Sequence, residues 1–189
     1  QEIIRGKKGK LTIRLEGGLS FPIYEKEAAK YRMTEGGTLS DQEWNEICTE
    51  ILEKRAKRRA LYILQRMERT EYQLRQKLQE NGYPEEIVQC SFHYVDDYRY
   101  ACTYIRYHQT EKSRLQLKMK LYERGVASDL IEQALEDEYS GEEEQLIDRL
   151  LEKKHYDAET MDQKEKQRIY QYLMRRGFRP ETIRHRMGI

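Results

Sequence analysis

The sequence predicts a mainly α-helical fold, an elongated tandem array of three three-helix modules preceded by a small N-terminal β-hairpin. Three observations predict it. First, a glycine-ended apolar pattern occurs three times: Leu74 and Leu78 before Gly82, Leu117 and Leu121 before Gly125, Ile169 and Leu173 before Gly177. Residues four apart share one helix face, and a glycine four beyond the last suits the left-handed turn that ends a helix. Second, a capping signal precedes each pattern, at Thr70-x-x-Gln73, Ser113-x-x-Gln116 and, one turn earlier, Asp162-x-x-Glu165. Third, strand-like alternation is confined to the opening segment.

The elements follow in order. Leu11 to Leu15 alternates apolar and polar, Glu16-Gly17-Gly18 supplies a turn with positive φ, and Leu19 to Tyr24 reads as the returning strand. Pro22 lacks an amide to donate and marks that strand as an edge. Gly36-Gly37 breaks the chain before a long helix, about Asp41 to Glu68, which opens on the capping box Ser40-x-x-Glu43. Comparable leading helices are expected from Asp97 to Gln109 and from Glu142 to Lys153, with an aspartate of the pair Asp96-Asp97, assigned as Asp97, capping the former. After each glycine an apolar residue (Tyr83, Val126 or Phe178) folds back, and a last helix begins near Glu86, Asp129 or Glu181, where an acid favours the helix dipole. The glycines lie 43 and 52 residues apart, the third copy carrying nine extra residues between Glu152 and Asp162. The expected divisions are residues 1–39 for the hairpin appendage and 40–94, 95–138 and 139–189 for the modules. Modules this small have little core each, so neighbours share surface or are loosely joined.

Of 189 residues, 37% are charged and 38% hydrophobic, against roughly 25% charged in ordinary domains. No apolar run approaches the ~20 residues that cross a bilayer, no basic-then-apolar signal opens the sequence from Gln1, and three cysteines suggest no disulfide framework. A soluble cytoplasmic protein without membrane contact is expected. The net charge of +1 hides segregation: +6 from Glu53 to Lys77, −9 from Asp129 to Glu152, +5 from Asp162 to the end. Two basic ends around an acidic middle suggest docking on something polyanionic or charge-patterned, against the plainer reading of solvated helix faces.

Catalysis finds little support. Asp96-Asp97 sits where aspartate caps a helix, and Cys90-Ser-Phe-His93 offers two ligands where zinc needs three or four. No phosphate-binding glycine loop or nucleophile elbow occurs, so neither an enzyme nor a cofactor or metal is expected. The best contact candidates are Lys54, Arg55, Arg58 and Arg59, where Arg55, Arg58 and Arg59 share a helix face, followed by Arg66, Arg69, Arg75, Arg106, Arg175, Arg176 and Arg179. Of the tyrosines of the second module, Tyr98, Tyr104 and Tyr107 are candidates for an exposed aromatic surface, with core or inter-module packing as the alternative.

The stretch Tyr94-Val-Asp-Asp-Tyr-Arg-Tyr-Ala101 resembles the signature that opens the second repeat of the bacterial RecX family, regulators of the RecA recombinase. Arg69 to Leu74 and Arg176-Gly-Phe178 are similar to its first- and third-repeat motifs, and the resemblance runs from about Leu39 to Met187. It implies a monomeric helical array that lies in the groove of the RecA–DNA filament and modulates, in the inhibitory direction, filament growth, ATP hydrolysis and strand exchange, in DNA repair, recombination and the SOS response. The alternative is a free-standing DNA-binding protein that grips single-stranded or duplex DNA with its basic first and third modules.

Overall fold

The computed structural model describes residues 1–92 and 94–189. The fold is mainly α-helical with a small N-terminal antiparallel sheet, and the chain divides into two compact units, Gln1–Val95 and Asp96–Ile189.

In the first unit, β1 (Glu2–Arg5), β2 (Lys10–Arg14) and β3 (Ser20–Tyr24) form a sheet in the order β1-β2-β3, with Ile3 opposite Ile13 and Ile13 opposite Phe21. The expected hairpin therefore gains a strand on its far side. Gly17 and Gly18 take φ of +88° and +87° in the turn, and Pro22 lies on the edge strand. Leu11, Ile13, Phe21 and Ile23 are buried in one core with Ile47, Leu52, Leu74, Leu78 and Val88, so the segment 1–39 is no appendage. The Phe21 and Trp44 rings meet at 5.0 Å. Alternation along the strands leaves one face apolar, and the first module supplies its cover.

A short helix, α1 (Glu25–Lys30), leads to the long helix, which begins as α2 (Asp41–Glu46) on the Ser40 capping box, passes through a π-helical stretch (Ile47–Glu53) and continues as α3 (Lys54–Arg66). The buried positions explain the stretch: Ile47 and Leu52 are five apart, whereas Leu52, Ala56 and Ala60 follow at intervals of four. An i to i+5 turn keeps Leu52 beneath Ile47 on the core side. Module one closes with α4 (Glu71–Glu80) and α5 (Glu85–Gln89).

The second unit holds α6 (Asp97–His108), α7 (Arg114–Glu123) and α8 (Ser128–Glu138), then α9 (Glu143–Lys153), α10 (Gln163–Arg175) and α11 (Pro180–Met187). Each trio has its own core, one around Ile105, Leu117, Leu121 and Ile131, the other around Ile147, Leu173, Phe178 and Ile183. The α6 cap is Asp96 rather than Asp97: Asp96 alone has an extended backbone, and its carboxylate accepts from the Arg99 amide at 2.9 Å, while Asp97 is already helical.

The repeat is a Schellman turn used three times. The Tyr83, Val126 and Phe178 amides donate back to the Leu78, Leu121 and Leu173 carbonyls at 3.3, 3.2 and 3.4 Å, and Gly82, Gly125 and Gly177 have φ of +90°, +81° and +81°. Leu74, Leu78, Leu117, Leu121 and Leu173 are fully buried, Ile169 only partly. The same turn also ends α9, where the Tyr156 amide reaches the Leu151 carbonyl at 2.9 Å and the left-handed position is held by His155 at φ +51°. A β-carbon is costly in that conformation. His155→Gly is therefore expected to stabilise the second unit by about 0.5–1 kcal/mol, read as a raised denaturation midpoint; a lowered midpoint would contradict the strain.

Candidate functional site

Helix α3 carries six basic residues and no acid. Its buried face is made of Ala56 and Ala60, so the helix body lies close to its neighbours and the long cationic side chains project from the remaining arc. The cations along this helix are treated differently. Lys54 and Lys57 are answered by Glu50 and Glu53 one turn earlier, at 2.5 and 3.4 Å. Arg55 is taken up by the fold: its guanidinium meets Glu27 at 2.5 Å, donates to the Pro22 carbonyl at 3.4 Å and stacks 4.8 Å from the Tyr24 ring, tying α3 to β3 and α1. Arg58 and Arg59 are exposed, and among the described residues neither they nor Arg66 has a carboxylate within ion-pair distance. Arg58 donates through Nε to the Lys54 carbonyl at 3.2 Å and Arg59 through Nε to Asn81 Oδ1 at 3.0 Å, contacts that orient the guanidiniums without neutralising them. Tyr62 lies between Arg59 and Arg66, 5.3 and 4.6 Å from its ring.

Arg55, Arg58, Arg59 and Tyr62 form one wall of an open cleft. The sheet supplies Lys10, whose Nζ donates to the Asn81 carbonyl at 3.3 Å, and Tyr24; the first Schellman turn supplies Asn81 and Tyr83. Glu27 is the acid in the lining, already paired with Arg55. Tyr83 is 7% exposed, and burial pushes its phenol above the ordinary range although Arg55, Arg59 and Arg58 act in the opposite sense. Chemically, the cleft offers unneutralised cations beside two half-exposed aromatic faces, Tyr24 and Tyr62. The cations suit an anion, while the Tyr24 ring is already stacked by Arg55 and the Tyr62 ring by Arg59 and Arg66.

The other expected contact residues fall elsewhere. Arg75 is claimed by Glu71 at 3.0 Å and by Glu85, and covers the Phe92 ring at 4.8 Å. Arg69 has a buried Nε that, among the described residues, meets no hydrogen-bond partner. Arg106 pairs with Glu138 at 2.5 Å, joining α6 to α8. Arg175 and Arg179 are exposed beside the Gly177 turn, while Arg176 stacks 4.8 Å from Tyr172 and its carbonyl accepts from Ser113. Of the tyrosines, Tyr107 is 77% exposed, but Tyr104 is buried under Arg124, 4.3 Å from its ring, and so is no surface platform. Tyr98 is half-buried, and its hydroxyl donates to Asp137. In the Cys90-Ser-Phe-His93 spacing, His93 lies outside the described residues; burial raises the nearby Cys48 thiol to about 11. Among the described residues no group of three or more His, Cys, Asp or Glu is placed to hold a metal, and no helix is long and apolar enough to cross a membrane.

Sequence reasoning missed Lys10, Tyr24, Tyr62 and Tyr83 as site residues. Tyr62 was visible, three residues after Arg59 and four before Arg66 on the same helical face. Lys10 and Tyr24 reach the cleft only because the sheet docks on the first module, which no local pattern encodes.

Residues 56–90, 96–135 and 142–186 match, in order, the models described as the first, second and third three-helix domains of RecX. The chain belongs to the RecX family. The regulatory protein RecX of Caldanaerobacter subterraneus subsp. tengcongensis is 28% identical over 195 residues, covering 99% of this chain and 96% of that protein. RecX of Geobacillus kaustophilus is 30% identical over 165 residues, 82% of this chain and 61% of its own length. A crystal structure of a regulatory protein RecX superposes with a TM-score of 0.67 at 25% identity, over 99% of this chain and 97% of the other. RecX from Lactobacillus salivarius gives 0.58 at 19% identity, over 72% of this chain and 95% of that one, a likeness of fold. RecX membership makes the role a regulatory one. The first RecX domain model begins inside α3, so Lys10 and Tyr24 belong to a part of the cleft that it does not include.

Proposed function

We propose that this RecX-family chain is a non-enzymatic regulator that binds the RecA–DNA filament in its groove and restrains filament growth, ATP hydrolysis and strand exchange. The observation that carries this reading is the succession of three modules, each with the same turn between its second and third helices, matched in order by the three RecX domains. Consecutive modules on one chain engage successive protomers with a high effective concentration, so weak single contacts add to tight binding. Added to RecA on single-stranded DNA, the protein is expected to slow ATP turnover and strand exchange. Unchanged rates at saturating protein would overturn the proposal.

A second reading, a DNA-binding protein acting without recombinase, is favoured by the arginines of α3 that lack carboxylate partners among the described residues. Gel shifts with DNA alone separate the two, since tight binding that falls steeply with salt and needs no RecA supports the second.

A further inference from the structure

Helix α7 is apolar on two sides. Leu117 and Leu121 are fully buried in the core of the second module, while Leu115, Met119 and Tyr122, spaced by four and three, form a second stripe that is 47%, 55% and 68% exposed. The other modules show whether folding demands it. Counted from the glycine of the repeated turn, the same three positions are Tyr72, Gln76 and Gln79 in α4 and Gln167, Gln171 and Met174 in α10. Both helices end in the same turn with glutamine at two of the three places, and all four glutamines are exposed. The helical brick therefore does not require an apolar outer face here, and a contiguous exposed one marks a surface that something else covers. Charge and size select the occupant. Lys118 and Arg114 are answered by Glu132, the latter at 2.9 Å, and Lys120 by Glu123 at 2.6 Å. A nucleic acid or an anionic lipid surface, which needs unneutralised cations, gains little from side chains so paired. The stripe exposes roughly 300–400 Å² of side chain, about half of what each partner gives up in a stable two-chain interface. It would not by itself hold a second copy of this chain. It does suffice as one contact among several, which is what three modules laid along a protein polymer supply.

We propose that the outer face of α7 docks, through Leu115, Met119 and Tyr122, on an apolar patch of a protein protomer, so that the middle module grips the protein component of the filament by hydrophobic burial. The occupant, a protomer of the recombinase filament, rests on the regulatory reading. The stripe on the middle module thus answers to protein, whatever the basic helix of the first module meets.

The test is fluorescence anisotropy of the labelled full chain titrated with RecA assembled on single-stranded DNA. Met119→Gln with Tyr122→Gln gives α7 the residues that α4 carries at Gln76 and Gln79, and leaves in place Leu115, which abuts the Gly177 turn. The double variant should bind the filament about tenfold more weakly. That factor should be the same at low and raised salt, because burial of apolar surface is not screened. Gln167→Ala with Gln171→Ala, at the equivalent places of α10, should bind as the wild type does, and circular dichroism should show equal helicity throughout. Wild-type affinity in the α7 variant overturns the inference, as does an equal loss in the α10 variant or a difference that vanishes as salt is raised. A concentration-dependent dimer in sedimentation that the α7 variant dissolves would make the occupant a second copy, and a loss of affinity for DNA without recombinase would make the stripe a nucleic-acid surface; either result also overturns it. A wild-type chain that does not bind the filament sinks the regulatory reading and this inference with it, whereas filament binding that the α7 variant retains in full sinks this inference alone.

Discussion

Gly177→Ala is expected to destabilise the Asp96–Ile189 unit by about 2–5 kcal/mol, lowering its urea or thermal midpoint. Two costs combine. The residue has φ +81°, where a β-carbon is strained, and an added Cβ would stand 2.7 Å from Leu115 Cδ2 and 2.8 Å from Leu115 Cβ. The second of these atoms is the base of a side chain anchored on α7, which cannot simply swing away. Gly82 is the internal control. It has φ +90°, but its added Cβ would find Pro22 Cδ at 3.8 Å, an ordinary contact. Gly82→Ala should therefore cost only the backbone part, about 1–2 kcal/mol. Equal losses at the two positions would show that Leu115 does not restrict Gly177.

Ser113→Ala should cost the same unit about 2–4 kcal/mol. Ser113 is fully buried, and its hydroxyl serves two helices. It accepts from the Gln116 amide at 3.2 Å, capping α7, and donates to the Arg176 carbonyl at 2.5 Å at the end of α10, while Gln116 Oε1 accepts from the Ser113 amide at 3.3 Å. Alanine removes the cap and strands the Arg176 carbonyl against an apolar methyl. Asp162→Ala makes the comparison: Asp162 caps α10 in the same reciprocal manner at 2.7 Å but is exposed, and its loss should cost about 1 kcal/mol. Chemical denaturation of the two variants side by side decides the matter, and a smaller loss for Ser113→Ala would refute the bridging role. Because Ser113 and Leu115 meet the Gly177 turn together, the double variant Ser113→Ala, Gly177→Ala should lose less than the sum.

What the sequence revealed, and what it withheld, divides by the range of the interaction. The glycine turns, the Ser40, Ser113 and Asp162 boxes and the acids at the second position of α5, α8 and α11 involve residues within about one or two helical turns of one another, so spacing alone discloses them. The third strand went unread although Gly6-Lys7-Lys8-Gly9 supplies its turn, the Gly6 amide donating to the Lys10 carbonyl at 2.7 Å: Glu2 to Arg5 shows little apolar-polar alternation, and its pairing with β2 is what identifies it. Charge was the weakest guide. Arg55 and Arg75 looked as available as Arg58 and Arg59, yet Glu27 and Glu85 arrive from other elements to occupy them. Tyr104 was similarly ambiguous on its helical stripe until α7 brought Arg124 across it.

The five-residue step from Ile47 to Leu52 has a consequence for ancestry. A π-helical turn absorbs one surplus residue while the helix on either side stays in phase. A sequence one residue shorter between these positions winds as plain α-helix and still delivers Trp44 to the sheet and Ala56 to its neighbours. Insertions and deletions are thus silent at this point but would rotate everything beyond it by about 100° elsewhere along the helix, so gaps among relatives should gather there.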